Sequence, residues 1–390
     1  MMPFDPSKVI SKQCAGIKPS GIRKFFDMLD GMKDVISLTV GQPDFVTPWK
    51  IREAGIESIE QGKTYYTSNS GLPALREEIS SYLERSFALS YDAERELLVT
   101  IGGSEAVDLA ARALLDPGDE VILHYPNYVC YEPLCRMCGA KVVPIVTTER
   151  ENFKVTPEAL RAVITPKTKL LILSYPNNPT GGIMERADLE AIADVIRDTG
   201  IVVLSDEIYA ELTYGSRHVS FGSLPGMKER TVVCSGFSKA FAMTGWRLGY
   251  VAAPAPILSA IRKIHQYAIM CAPTASQFAG LAAMREGQEA MHEMIAEYDR
   301  RRKLTLSELA KIGLSCYEPK GAFYVFPDIS RFGLSSQEFA SRLINEARAA
   351  VVPGDAFGES GEGYIRISYA YSVGHIKEGI ARMGRFLSTL

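Results

Sequence analysis

Between about residues 97 and 252 the chain alternates short apolar runs with segments of helical spacing, and this rhythm constrains its fold more than any other feature. Residues 97–101 read as a strand, and Gly103-Ser104-Glu105-Ala106 then opens a helix that reaches about Leu115. Asp116-Pro117-Gly118-Asp119 is a turn before a second strand at 121–123. Further β-rich runs occupy 170–174, 201–205, 231–234 and 248–252, with helical patterns such as 186–197 between them. Short buried strands alternating with helices predict an α/β/α sandwich around a mainly parallel sheet, here a large domain over about 46–285. Ligands of such sheets bind beyond the carboxyl ends of the strands.

The texture changes after residue 285. Residues 288–311 read as one long amphipathic helix, and 321–326 and 364–369 as strands of a smaller α+β unit. That second domain is expected to comprise 286–390 completed by 1–45, a division that suits 390 residues. A net charge of -3 gives no reason to expect nucleic acid or an anionic membrane as partner. No apolar run reaches the roughly 18 residues that span a bilayer, and the first residues lack a signal-peptide pattern. Seven cysteines, an odd number on a long chain, point to reduced thiols and a cytoplasmic protein. Cys135 and Cys138 have C-x-x-C spacing, but no second pair or nearby histidine completes a metal site. They are expected as buried thiols on one face of a helix that ends at Gly139.

The segment 235–249 carries the chemistry. It sets Lys239 beside Ser238 and eight residues before Arg247. Solvated surface charges are a poor account, because Phe237, Phe241, Met243, Trp246 and Leu248 would be costly to expose. A lysine that forms an imine must lose its proton, which burial or nearby cationic charge promotes. An arginine pairs bidentately with phosphate and never loses its charge. Lysine, hydroxyl and arginine together fit pyridoxal 5'-phosphate, a phosphorylated aldehyde.

Asp206 follows the apolar run Ile201-Val202-Val203-Leu204-Ser205 and should stand at the end of a buried strand. A helix cap is one account of it. Beside Lys239, a cationic partner such as a protonated pyridine nitrogen is the better one, and it would make the ring an electron sink. Tyr209, three residues on, could reach the ring oxygen. Tyr175-Pro176-Asn177-Asn178-Pro179-Thr180-Gly181 also follows a strand, and Asn178 offers an amide to that oxygen. Gly102-Gly103-Ser104-Glu105 joins a strand to a helix, whose first N–H groups make a phosphate seat. Arg366 is a lone cation in an apolar strand pattern and wants an anion, from either a structural salt bridge or a ligand.

These motifs, in this order over nearly the whole chain, resemble those of class I aminotransferases, pyridoxal-phosphate enzymes of fold type I. The resemblance implies that Lys239 carries the Schiff base and shuttles the proton. It implies that Asp206 and Tyr209 serve the ring, and that Gly103, Ser104 and Glu105 face the phosphate mainly through main-chain groups. Tyr128 falls where the family sets an aromatic ring against the pyridine. Arg366 and the main chain of Gly41 match the positions that grip the substrate α-carboxylate. Tyr66 matches a tyrosine that reaches the phosphate from a neighbouring subunit, which implies a homodimer with shared sites. The stretch 31–38, Gly-Met-Lys-Asp-Val-Ile-Ser-Leu, fits the branch of broad-specificity aromatic and aspartate aminotransferases. The expected reaction is a ping-pong transfer from an L-amino acid to 2-oxoglutarate. Ile22, Tyr66 and Tyr128 are expected to line the side-chain pocket. A carbon–sulfur β-lyase would use the same intermediate. A non-catalytic regulator that binds the cofactor would need a basic winged-helix segment, for which 390 residues leave no room.

Overall fold

The structure, a computed structural model, describes residues 4–19, 21, 32 and 34–390. After β1 (Ile36–Ser37) come β2 (Leu97–Thr100), β3 (Glu120–Tyr125), β4 (Lys141–Val146), β5 (Thr168–Ser174), β6 (Val202–Asp206), β7 (Thr231–Gly236) and β8 (Gly249–Ala252). Four short strands follow, β9 (Tyr324–Val325), β10 (Ala349–Ala350), β11 (Val352–Pro353) and β12 (Ile365–Ser368). Strands β2 to β8 form one sheet in the order β2-β8-β7-β6-β5-β3-β4. Only β8 runs against its neighbours; the rest are parallel, as the apolar runs predict.

The strand pleat sorts the core into layers. Leu170, Ile172, Leu204 and Val232 pack with Ala106, Leu109 and Ala110 of the helix Gly102–Leu114. Their alternates Leu171, Leu173 and Val203 pack on the other side with Leu189, Ile192 and Ile196 of the helix Arg186–Ile196. Both faces are covered by helices, which is why these strands read as unbroken apolar runs. Edge strand β4 does not read that way. It is largely exposed and holds Pro144, which an edge tolerates because one row of its hydrogen bonds is unused.

In the C-terminal part, β11-β12-β9 make an antiparallel sheet, and β10 pairs in parallel with β1 from the N-terminal segment. The helices Gln288–Lys311, Ser336–Ala347 and Val373–Leu387 pack around them. The long helix was expected within the same bounds. One expectation needs correction. The C-x-x-C helix ends at Met137, so Cys135 is buried while Cys138, at its cap, is only half-buried.

The antiparallel β8 has a consequence for one edge of the sheet. Gly249 opens β8 in register with Thr100 at the end of β2 and with Gly236 at the end of β7. Five segments that leave the carboxyl ends of β2, β3, β5, β6 and β7 therefore emerge on the edge where β8 begins. The packing there is backbone on backbone. A Cβ on Gly249 would lie 2.5 Å from the carbonyl carbon of Gly102 and 2.7 Å from the nitrogen of Gly103. Gly249→Ala must push two main chains apart, which should cost about 1–3 kcal/mol. Thermal unfolding should show a melting temperature lower by several degrees. Gly374→Ala, where a Cβ meets nothing within 4 Å, should leave it equal or slightly higher.

Candidate active site

A cavity of about 370 Å³ opens at this edge. Lys239 reaches it from the turn after β7 and is half-buried. Its Nζ donates to the carbonyl oxygen of Gly41 at 2.7 Å and lies 5.6 Å from the Tyr209 ring centre. Burial, then the Arg366 and Arg247 guanidinium groups, push its ammonium down to about 8, against a smaller opposing pull from Asp206. A side chain with that balance is a usable nucleophile and base near neutral pH.

Asp206 ends β6 at 8% exposure. Burial pushes its carboxyl up to about 6, although the Tyr131 hydroxyl and the Ile208 N–H both favour the charged form. Tyr131 donates to Oδ2 at 2.8 Å, and Ile208 N–H to Oδ1 at 3.1 Å. No cation contacts the carboxylate among the described residues, so the cavity presents a buried negative charge in want of one.

The opposite charge gathers at the start of the helix Gly102–Leu114. That helix has no side-chain cap, and Gly103 and Ser104 of its first turn line the cavity. Gly102 adopts φ +72°, and a Cβ there would meet the Arg247 guanidinium at 2.9 Å. The guanidinium thus lies over a bare helix N-terminus. Its one recorded bond is to the Thr244 carbonyl at 3.1 Å, and no carboxylate pairs with it among the described residues. Free N–H groups, a helix dipole and an unpaired guanidinium suit a phosphate dianion.

Arg366, from β12, is buried at 3% exposure without a carboxylate partner. It donates to Asn178 Oδ1 at 2.8 Å and to the Thr39 carbonyl at 2.6 Å, and its Nε is buried without any partner. The Tyr324 ring lies 4.5 Å from its guanidinium carbon, and the Tyr324 hydroxyl meets that of Tyr209 at 2.8 Å. The structural salt bridge allowed by the sequence is absent among the described residues. The groups present thus fit a phosphorylated aromatic aldehyde with a basic ring nitrogen, beside a guanidinium kept for a second anion.

Gly41, Gly103, Ser104, Tyr128, Asn178, Asp206, Tyr209, Ser238, Lys239, Arg247 and Arg366 all line this one cavity. Two predicted residues do not. The Glu105 side chain turns back to accept from the Ile101 N–H and pairs with Nδ1 of buried His265 at 2.8 Å, closing its own helix start. Tyr66 is 77% exposed and belongs to no wall of this chain's cavity. Ile22 lies outside the described residues. Sequence reasoning missed Tyr131, Ser174, Tyr324 and Gly249. Tyr131 and Ser174 are ordinary residues of a helix start and a strand end, and only folding brings them to Asp206.

The family model for class I and II aminotransferases matches residues 33–383. The chain is 53% identical to YugH of Bacillus subtilis (strain 168), covering 95% of this chain and 96% of that protein. It is 44% identical to an aspartate aminotransferase of Pyrococcus abyssi, covering 95% of this chain and 96% of that one. Among solved structures, an aromatic aminotransferase from Pyrococcus horikoshii matches with a TM-score of 0.89 at 43% identity, over 94% of this chain and 99% of that one. With the cavity's charge pattern and these matches together, the chain belongs to the class I and II aminotransferases, transferases of fold type I that use pyridoxal phosphate.

Proposed function

We propose that the chain moves the amino group of an L-amino acid, aromatic or aspartate, to 2-oxoglutarate in two half-reactions at one site. One observation carries this reading. The same cavity holds a lysine with a lowered pKa and Arg366, buried, unpaired with any carboxylate and with Nε unused. Bound there, pyridoxal phosphate supplies an electron sink next to the substrate's Cα. Arg247 and the N–H groups of Gly103 and Ser104 take the phosphate, with Ser238 beside them. Asp206 would keep a proton on the ring nitrogen, and Tyr128 would offer its ring to the cofactor's face. Asn178 spends Oδ1 on Arg366, which leaves its Nδ2–H free for the ring oxygen, with Tyr209 as second donor. Lys239 Nζ would hold the aldehyde carbon and, once free, would take and return the substrate's Cα proton. Arg366 and the Gly41 main chain fix the α-carboxylate of both partners, so the first oxo acid leaves before the second binds.

The cofactor is held in this reading by the unit 46–285 and the carboxylate by the unit 1–45 with 286–390. The Asn178–Arg366 bond joins them. Exposed Tyr66 completes the site of a second copy, and Trp49, Ile59, Tyr65 and Tyr267, all more than half exposed, supply apolar surface for that contact.

The donor preference follows from the cavity's charges. Lys239, Arg247 and Arg366 are its cations among the described residues, and each has a role, so a distal carboxylate meets polar groups or water. Tyr128 and Tyr324 offer ring surface. Tyrosine or phenylalanine with 2-oxoglutarate should therefore be the best pair and aspartate the next. Initial-rate plots should be parallel. Aromatic kcat/KM more than about a hundredfold below that of aspartate, roughly 2.7 kcal/mol, would refute the preference.

Neutral Lys239 Nζ is the reactive form. Capture of pyridoxal phosphate by cofactor-free protein, followed as growth of its visible band, should therefore accelerate with pH up to about 8 and level off above. Lys239→Ala should bind the cofactor without the covalent band and lose transamination. Retained turnover in that variant would end the assignment.

Asp206 binds its proton more tightly folded, near 6, than in the unfolded chain. Its charge therefore costs the cofactor-free protein stability above pH about 6, and this cost fades as pH falls toward the ordinary carboxylate range. Asp206→Asn should raise the melting temperature of the cofactor-free protein at pH 8 by the equivalent of about 2–3 kcal/mol. The same change should lower kcat of the loaded enzyme by at least about a hundredfold. Calorimetry at pH 8 and pH 5 checks the first, steady-state kinetics the second.

A further inference from the structure

Resting on the reading that Asp206 faces the ring nitrogen, we infer that Tyr131 is a positioning residue that keeps the shared proton on that nitrogen, and that Ser174 sets the direction of its hydroxyl. Tyr131 starts the helix Tyr131–Met137, is 1% exposed and packs edge-on against Tyr128 at 6.0 Å. Its oxygen lies 2.8 Å from Asp206 Oδ2 and 2.8 Å from Ser174 Oγ. A phenol has one proton to give, and a carboxylate is the stronger acceptor. The proton therefore goes to Asp206, and Ser174 Oγ–H donates to the Tyr131 oxygen. Ser174 is itself tied down, since its backbone N–H donates to Nε2 of His124 at 3.3 Å. His124 is fully buried and stacked on Tyr175 at 4.8 Å, and burial pushes its imidazole down to about 3, so it stays a neutral acceptor. The relay thus runs from serine through tyrosine to aspartate, each dipole reinforcing the next.

This direction decides where the ring proton resides. A hydrogen bond to the charged carboxylate favours that charged form, so the proton shared between Asp206 and the ring stays on nitrogen. Among the described residues, the one other donor to Asp206 is the Ile208 backbone N–H, at 3.1 Å. Burial first, then Asp206, raises the Tyr131 phenol well above its ordinary value, so it remains a donor across the working range.

The test compares two ligands on the full-length protein. One is pyridoxal phosphate; the other is its carbocyclic analogue, with C–H in place of the ring nitrogen. The ratio of their dissociation constants, from fluorescence titration, reads the Asp206–nitrogen interaction alone. Tyr131→Phe should shrink this ratio by about tenfold. Ser174→Ala should shrink it in the same direction but less, and Asp206→Ala should abolish the preference. With amino acid as substrate, Tyr131→Phe should lower kcat while KM stays near wild type, because Arg366 is untouched. Equal weakening of both ligands in Tyr131→Phe and in Ser174→Ala, with Asp206→Ala losing the preference, would overturn the inference and leave the aspartate reading standing. A full preference retained in Asp206→Ala would overturn both.

Discussion

Four charges meet in one cavity, Asp206 and Arg366 buried, Lys239 half-buried and Arg247 exposed, and the fold pairs none of them with another. Asp206, Lys239, Arg247 and Arg366 each hold hydrogen bonds to main chain or neutral side chains, and none forms an ion pair in this structure. A carboxylate at the end of β6 and a guanidinium in β12 would be far cheaper if they touched. Keeping them apart requires rigid supports, and the sheet supplies these. Asp206 is set by register with Ser174 and Cys234 on either side, and Arg366 by pairing with Val352. In the function proposed above, the unmet charge is an affinity held ready, one part for a phosphate, one for a basic ring and one for a carboxylate.

The antiparallel β8 makes the arrangement possible. Because Gly249 stands in register with both Thr100 and Gly236, the chain returns from the Lys239 turn directly against the helix start that follows β2. Arg247, two residues before, is thereby delivered over Gly102 without any long loop. Phosphate seat and lysine are coupled through a few residues of backbone, which explains why both are legible in a single stretch of sequence.

Legibility tracked the range of the cause. The central strands were readable because burial on both faces makes them apolar throughout, and the long helix 288–311 because its period runs over many turns. Edge strand β4 was not, since exposure and Pro144 remove the pattern. In the site, Lys239, Asp206, Arg247 and Arg366 stood out as charges in apolar surroundings, a signal that needs no partner to be seen. Tyr131 and Tyr324 carried no such mark. An aromatic residue in an apolar segment reads as core, and only the fold shows that their hydroxyls end beside Asp206 and Tyr209. Glu105 was read for its main chain, and the part its side chain plays could not be seen in the sequence. It faces His265 and locks the helix start from behind.

The backbone around Arg247 shows how the site is held in place. Arg247 and Ala242 adopt φ +51°, a left-handed conformation costly for residues with a Cβ. Each such residue costs on the order of 1–3 kcal/mol and persists only where its surroundings over-determine it. They do so here. Thr47 donates from Oγ1 to the Ala242 carbonyl at 2.6 Å and accepts from the Trp246 indole at 3.1 Å. Ser276 donates to the Trp246 carbonyl at 2.8 Å, and Leu248 is completely buried. The turn between Lys239 and β8 is therefore clamped from a neighbouring loop and a helix. The same clamp that bears the strain sets the backbone from which the Arg247 side chain leaves toward Gly102.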